Sequence, residues 1–235
     1  MSDFSLRLLA GFGLFLSILS GCASDGERTR QDADGKGPRV VTYGPGLRID
    51  YRVPQVEVDC EVILREGDIE LFCYGRAPVP KDHESILRTD VPAEAIYEAL
   101  GLIGVMPGHT LKFFIETQTL RMPAGDPVDV FVRYAQDGSM IEASACDWML
   151  DARAKLPMQR GYWLFTGSER MEDGTFAANY EGTIVTVVDF PSSLLSLPTS
   201  HSESDADLWL SARTDVIPPL GTKVTMILRP ANRSD

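Results

Sequence analysis

The chain has 235 residues, of which 44% are hydrophobic and 24% are charged, a balance that is typical of globular proteins. Its formal net charge is −12, from 34 acidic and 22 basic residues. No basic stripe could neutralise phosphates, so the composition argues against a nucleic-acid partner.

The first 21 residues have the features of a bacterial lipoprotein signal peptide. Arg7 precedes an apolar run, residues 8–19, which is too short to span a bilayer. The run ends in the letters LSGC at 19–22, which resemble a lipobox, where the cysteine is acylated with chains such as palmitate. We therefore predict lipidation of Cys22, export, and a membrane-anchored place in the cell envelope on the periplasmic side.

Residues 22–38 are predicted to be a flexible tether. They carry no large apolar side chain after Cys22, so they cannot bury enough surface to fold. A chain of this length reaches roughly 20 Å on average, enough to hold a domain clear of the lipid head groups. The remaining residues, 39–235, are predicted to form a single domain.

From Val40 onward the pattern is mainly that of β-strands. Segments such as VEVDCEV and VDVFVRYA alternate between apolar and polar residues, as half-buried strands do. The candidate strands are 39–43, 47–51, 55–64, 69–74, 110–118, 128–135, 139–150, 161–167, 183–189, 207–213 and 222–229.

One segment, residues 91–104, has a clear helical pattern. Pro92 suits the first turn, Glu94 lies near the positive end, and Gly104 favours termination. A shorter helix is predicted near 191–197. We therefore expect the α+β class, with an antiparallel-dominated sheet or sandwich and one main helix packed on it. The apolar stripe of that helix contains Ala95, Ile96, Ala99, Leu100 and Ile103.

A first hairpin can be aligned from the sequence around Asp137-Gly138, a pair that favours a tight turn. Centring the hairpin there gives one apolar face and one face with an opposite-charge pair, so the register is self-consistent. The predicted pairs are Val130–Ala145, Val132–Ala143, Tyr134–Ile141 and Arg133–Glu142.

A second hairpin is predicted with its turn at Glu66-Gly67, pairing Leu64 with Ile69, Val62 with Leu71, and Cys60 with Cys73. The two cysteines would then form a non-hydrogen-bonded pair with Cα atoms roughly 4.5 Å apart, at the short end of the disulfide range. An exported protein resides where disulfides persist. A Cys60–Cys73 disulfide and two buried thiols both stay open, and Cys146 has no obvious partner.

The segment KDHES, residues 81–85, collects the candidate binding side chains Lys81, His83, Glu84 and Ser85. Ser85 and His83 share a strand face, but no GxSxG turn, oxyanion loop or orienting carboxylate accompanies them. On a strand, His83 and Glu84 point to opposite faces, which weakens a metal site. We favour a structural or ligand-binding role and assign no catalytic residue.

The other patterns indicate no cofactor and no metal. Iron–sulfur and structural zinc sites need clustered cysteines, whereas the three cysteines besides Cys22 are far apart and no CxxC occurs. The three histidines are scattered without an HExxH motif. The acidic stretch 200–207 lacks the spacing of an EF-hand loop.

Several motifs occur in the order found in the YdjY-domain family, which this chain resembles over about residues 45–230. They are KDHES (81–85), Ala99-Leu100 through Gly104 to Pro107-Gly108, WLFTGS (163–168), FPS (190–192) and IPPLGTKV (217–224). The family pattern usually has Glu where this chain has Asp82. The family is bacterial and frequent in planctomycete lipoproteins and exported proteins. The resemblance implies no activity, cofactor or catalytic residue.

The sequence thus predicts a lipid-anchored, non-catalytic envelope protein that binds a small ligand or an envelope protein. One alternative is a hydrolase or metal-dependent enzyme centred on His83, Glu84 and Ser85. Another alternative is a structural protein of the envelope.

Overall fold

The computed structural model describes residues 40–202 and 208–231, and 41% of these described residues are in strands and 10% are in helices. There are two α-helices, α1 (Ala93–Leu102) and α2 (Ala177–Glu181), and a 3-10 helix, Ala145–Trp148, within these ranges. The strands are β1 (Val40–Gly44), β2 (Leu47–Asp50), β3 (Gln55–Val62), β4 (Leu71–Tyr74), β5 (Ser85–Arg88), β6 (Lys112–Phe114), β7 (Thr119–Arg121), β8 (Pro127–Gln136), β9 (Ser139–Ser144), β10 (Met149–Asp151), β11 (Trp163–Phe165), β12 (Thr183–Thr186), β13 (Leu195–Ser196), β14 (Leu210–Ala212) and β15 (Lys223–Pro230).

The main sheet closes on itself as an eight-strand β-barrel. Around the ring the strands follow the order β3, β15, β8, β11, β13, β12, β4 and β5, and β5 then pairs with β3. Strands β1 and β2 continue the sheet beyond β3, and β9 pairs with β8. Most pairs are antiparallel, but β4–β5 and β12–β13 are parallel.

The expectation of an α+β sheet or sandwich is therefore wrong. The main helix exists as α1, but the helix predicted near 191–197 does not form, and that segment contains a turn followed by β13. Its leucines, Leu194, Leu195 and Leu197, are all buried, and periodicity alone cannot distinguish a short strand from a helix when an apolar run is buried throughout. The second helix, α2, lies at 177–181 instead.

The register of four neighbouring strands places their buried side chains side by side in the core. Leu47 pairs with Val58, Val58 with Met226, and Met226 with Val132. All four side chains are buried, so one continuous apolar row crosses β2, β3, β15 and β8. An eight-strand barrel is narrow enough for side chains to fill its interior.

The predicted hairpin at Asp137-Gly138 is confirmed as β8 and β9. Both turn residues have positive φ angles, 49° and 78°, as the type I′ turn requires. Val132 pairs with Ala143 and Tyr134 with Ile141, and an ion pair of 3.1 Å joins Arg133 to Glu142. The expected Val130–Ala145 pair is absent from the ladder of β8 and β9, because the chain enters the 3-10 helix at Ala145.

The predicted hairpin at Glu66-Gly67 is wrong. Strand β5 lies between β3 and β4, pairing antiparallel with β3 and parallel with β4. Gly67 has a φ angle of 105°, but Glu66 does not have a positive φ, so no type I′ turn forms there. The segment instead pairs with β14, where the Ala212 amide donates to the Gly67 carbonyl at 2.8 Å.

Helix α1 packs with Ala93, Ile96, Ala99 and Leu100 buried, so most of the predicted stripe faces the core. Pro92 occupies the N-cap position, and no side chain caps the first turn. Within the described ranges, no helix is long and apolar enough to cross a membrane.

A second hairpin, formed by β6 and β7, carries residues that are all exposed. Its base is narrow because two chain segments approach each other closely. His109 and Ala124 exchange backbone hydrogen bonds of 2.9 Å, and the Gly108 amide donates to the Phe165 carbonyl at 2.9 Å. A Cβ atom on Gly108 would lie 2.1 Å from the Ala124 carbonyl oxygen, so only glycine fits there.

Candidate functional site

A cleft of about 740 Å³ opens beside β3, β4 and β5. Its walls also include the loop that follows β4 and the residues just before α1. Volumes of roughly 300–1,000 Å³ are typical of small-molecule sites. The lining residues with charged side chains are Asp59, Glu61, Arg76, Asp82, Arg88, Asp90 and Lys223.

Arg88, on β5, is central to the charged groups of the cleft. Its guanidinium lies 3.5 Å from the Asp82 carboxylate and 3.6 Å from that of Glu61. Lys223 approaches Glu61 from the other side, with its Nζ atom 2.7 Å from the carboxylate. This row follows from strand pairing, because Glu61 on β3 lies opposite Arg88 on β5 and opposite Lys223 on β15.

Tyr74, at the end of β4, completes the row on the cleft floor. Its hydroxyl donates a 2.7 Å hydrogen bond to Asp82. Burial raises the pKa of Tyr74, and the hydrogen bond to Asp82 raises it further, so the phenol stays protonated as a donor. In contrast, the hydrogen bond from Lys223 lowers the pKa of Glu61 and keeps that carboxyl ionised at neutral pH.

The rim near α1 is also built from opposite charges. Arg76 and Asp90 form an exposed ion pair of 3.0 Å. Thr89 is buried and holds the chain before the helix, since its hydroxyl donates to the Asp59 carbonyl at 2.7 Å and accepts from the Val91 amide at 3.1 Å. The cleft therefore combines hydrogen-bond donors and acceptors of both charge signs.

The predicted binding residues lie beside this cleft and do not line it. Lys81 donates a 2.6 Å hydrogen bond to Glu84, and its ammonium lies 5.1 Å from the centre of the Phe190 ring. The His83 side chain is 77% exposed, with Nε2 3.5 Å from a Glu84 oxygen. Lys81, His83 and Glu84 thus form a local cluster in the turn that leads into β5.

Ser85 is separate from that cluster. It is fully buried, and its hydroxyl donates to the Leu87 carbonyl at 2.9 Å. The structure therefore does not bring Ser85 and His83 together as a nucleophile and base. Of the KDHES segment, only Asp82 lines the cleft, and it was not among the predicted site residues.

No group of three or more His, Cys, Asp or Glu side chains could hold a metal ion in the described part of the chain. Near the cleft, the carboxylates that could serve as ligands are already joined to cations, as Glu61 is to Lys223 and Asp59 is to Arg48.

Cys60 and Cys73 are close in space even though their predicted hairpin does not form. Both are buried thiols without a disulfide between them, and their sulfur atoms lie 4.0 Å apart, within reach of a weak S–H···S hydrogen bond. Burial raises the pKa of Cys73, and the contact with Cys60 adds to this, so the thiol form is favoured. The disulfide between them stays a prediction. Cys146 is a third buried thiol.

Three predictions concern residues outside the described ranges, namely lipidation of Cys22, the signal peptide over 1–21 and the tether over 22–38. Lipidation and export therefore stay predictions. The acidic stretch 200–207 lies mostly outside them as well.

The fold and the cleft define a small β-barrel domain with a mixed-charge surface site. The sequence profile of the YdjY domain matches residues 47–229, which include the whole barrel ring from β3 to near the end of β15. The chain therefore belongs to the YdjY-domain family, as its motifs indicated. Neither the curated proteins nor the solved structures contain a match to the chain.

Two motifs that carry the family resemblance meet at the base of the β6–β7 hairpin. Gly108 approaches Ala124 there, and a Cβ atom on Gly167 would lie 2.7 Å from the Cβ of Pro107. These glycines allow close backbone packing, which is a structural reason for the motifs.

Proposed function

We propose that this protein is a lipid-anchored component of the cell envelope whose YdjY domain binds a small polar ligand without catalysing a reaction. The observation that carries the proposal is the cleft around Arg88, which has the volume of a small-molecule site and charged groups of both signs.

The charge pattern of the cleft favours one class of ligand. Arg88 and Lys223 are each already close to a carboxylate, so a ligand with a single strong charge would meet repulsion as well as attraction. A zwitterion such as an amino acid or a short peptide can place its carboxylate near the cations and its ammonium near Asp82 or Asp59. We therefore propose amino acids or short peptides as the ligand class.

The geometry of the KDHES segment argues against the hydrolase alternative. The Ser85 hydroxyl is buried and donates to a backbone carbonyl, while the His83 ring is largely in solvent. A nucleophile needs its base within hydrogen-bond reach, and a substrate needs access to the hydroxyl.

Ligand binding can be tested by thermal unfolding of the full chain with glycine, glutamate, lysine, glycylglycine and glucose as probes. We expect at least one zwitterionic probe to raise the melting temperature, because a ligand that binds only the folded state stabilises it. Arg88→Met and Lys223→Met should remove the shift. Arg160→Met, which alters an exposed ion pair with Asp147 away from the cleft, should retain it. No shift with any probe, or a shift that survives both cleft substitutions, would contradict the proposal.

The lipid anchor is supported by the LSGC sequence and the polar tether that follows it. We expect Cys22→Ser to leave an unprocessed precursor or to release the protein from the membrane fraction. Cell fractionation and the mass of the N-terminal peptide measure this. Identical processing and fractionation of parent and variant would rule out the anchor.

A further inference from the structure

The β6–β7 hairpin exposes an unusual set of side chains for the end of a projecting element. Five large apolar residues on it or next to it have exposed fractions between 42% and 72%. We call this set the apolar hairpin surface, and it consists of Phe113, Phe114, Ile115, Leu120 and Met122. Exposed apolar groups gathered in this way mark sites of contact with a protein or a membrane.

The hairpin is held together by its own hydrogen bonds, so its large apolar residues are exposed on an ordered element. The Gln118 side chain donates to the Ile115 carbonyl at 2.8 Å, and the hydroxyls of Thr117 and Thr119 are hydrogen-bonded at 2.7 Å. At the base, the paired backbones of His109 and Ala124 fix the direction in which the hairpin projects.

Two cations flank the apolar residues. Lys112 and Arg121 lie directly opposite each other across the hairpin, an arrangement that like charges normally disfavour. Lys112 is joined to Glu169 at 3.2 Å, whereas the Arg121 guanidinium has no ion pair or hydrogen bond among the described residues. Residues 112–122 contain these two cations and one carboxylate, Glu116, within a chain whose net charge is −12.

We propose that the apolar hairpin surface inserts into the interface of a lipid bilayer, with Lys112 and Arg121 at the level of anionic head groups. Aromatic rings and flanking cations are the side chains that membrane interfaces favour. The proposal rests on the proposed lipid anchor in one respect. The predicted tether, residues 22–38, ends two residues before β1 begins at Val40, and would keep the domain near the bilayer at high effective concentration.

A second copy of the chain fits this surface less well. Stable protein interfaces involve about 20 residues or more on each side, whereas the hairpin offers five apolar side chains. Two hairpins packed on each other would also bring their unpaired Arg121 side chains together. A bilayer needs no matching partner surface and supplies phosphates for the cations.

The test uses the full lipidated chain reconstituted into vesicles of phosphatidylcholine and phosphatidylglycerol, with and without lipids that carry a doxyl quencher. A tryptophan is introduced as Ile115→Trp, and the matched control is Met140→Trp on the exposed β8–β9 hairpin. We expect emission from Ile115→Trp to shift to shorter wavelength and to be quenched several-fold more by doxyl lipids than emission from the control. Adding Phe113→Ser and Leu120→Ser should abolish the quenching with little change in melting temperature.

The outcomes separate the hairpin from the anchor. Insertion would be overturned if acrylamide, a water-soluble quencher, quenched the tryptophans introduced at positions 115 and 140 equally and doxyl lipids did not quench Ile115→Trp. A covalent dimer of Ile115→Cys after cross-linking on the vesicles would overturn it in favour of a second copy. Equal flotation of Cys22→Ser and the parent with the vesicles would show that the anchor is not needed for membrane binding. Doxyl quenching that persists in that variant supports the hairpin even where the anchor fails.

Discussion

Two regions of this protein have nearly the same sequence pattern and fold differently. Residues 127–144 and residues 55–74 each contain two alternating segments around a glycine. The first region forms the hairpin β8–β9, with the register that its sequence predicts. The second region forms β3 and β4, which are separated by β5.

The two regions differ in their turns and in the strands from elsewhere in the chain that pair with them. Asp137 and Gly138 both adopt positive φ angles, so the chain reverses within two residues. Glu66 does not, and residues beyond Gly67 pair with β14. Alternation therefore identifies strands reliably, but only a turn of the right type identifies the neighbour.

The position of β5 offers the strongest test of this comparison. Leu87 is fully buried, and its strand separates β3 from β4, so Leu87→Asp should lower the free energy of unfolding by on the order of 3 kcal/mol or more. Urea denaturation measures the change. Met140→Asp on the exposed part of β9 is the control and should change stability by about 0.5 kcal/mol or less. Comparable effects for the two variants would mean that Leu87 is not buried, which contradicts the position of β5 between β3 and β4.

The pairing of β8 with β9 can be tested through Glu142, which lies opposite Arg133. Hydrogen bonds from Arg229 and then Arg133 lower the pKa of this carboxyl in the folded state. A lowered folded pKa stabilises the protein above the unfolded pKa, and this stabilisation is lost as the pH falls through the folded value. Because the pair is partly exposed to solvent, we expect Glu142→Gln to cost roughly 0.5–1 kcal/mol at neutral pH.

Denaturation of Glu142→Gln over a range of pH measures this contribution. The difference between the parent and the variant should shrink below about pH 4.3, the usual pKa of glutamate. The exposed Glu172→Gln serves as a control without an ion pair in the described part of the chain. A difference that does not depend on pH would show that the ion pairs of Glu142 contribute nothing.

The two turns should also respond differently to glycine, and this is the smallest expected effect. Asp137 already has a φ angle of 49°, so Asp137→Gly removes backbone strain and should leave stability within about 0.5 kcal/mol of the parent. Glu66 has no such strain, and Glu66→Gly should lower stability by up to about 1 kcal/mol through the entropy of the unfolded chain. Melting temperatures of both variants decide the matter, and a larger loss for Asp137→Gly would contradict the assigned turn.

Much of the local structure could be predicted from the sequence. Nearly every long strand, helix α1 and the β8–β9 register follow from periodicity and turn chemistry. The barrel could not be predicted, because its ring is completed by β5 and β13, which have four and two residues. Each makes a parallel pair with the strand that directly precedes it, across a loop, and local patterns carry no record of such pairs.

The cleft was missed for the same reason. Glu61 looks like an ordinary solvent-facing residue of an alternating strand, and Arg88 and Lys223 look the same on theirs. They become neighbours only when β5 and β15 are placed on either side of β3. The KDHES segment attracted attention through its density of polar groups, but only Asp82 faces the cleft.

The place of β15 in the ring also determines when the protein can fold. This strand, the last one in the described sequence, lies between β3 and β8 and is paired with both along most of its length. Val224 and Cys60, for example, are neighbours across the sheet although more than half of the chain separates them. Such remote pairing makes folding slow, and the barrel cannot close until β15 has left the ribosome. A chain whose sheet is still open could pass through a translocation channel, so late closure would suit the export that the N-terminal sequence predicts.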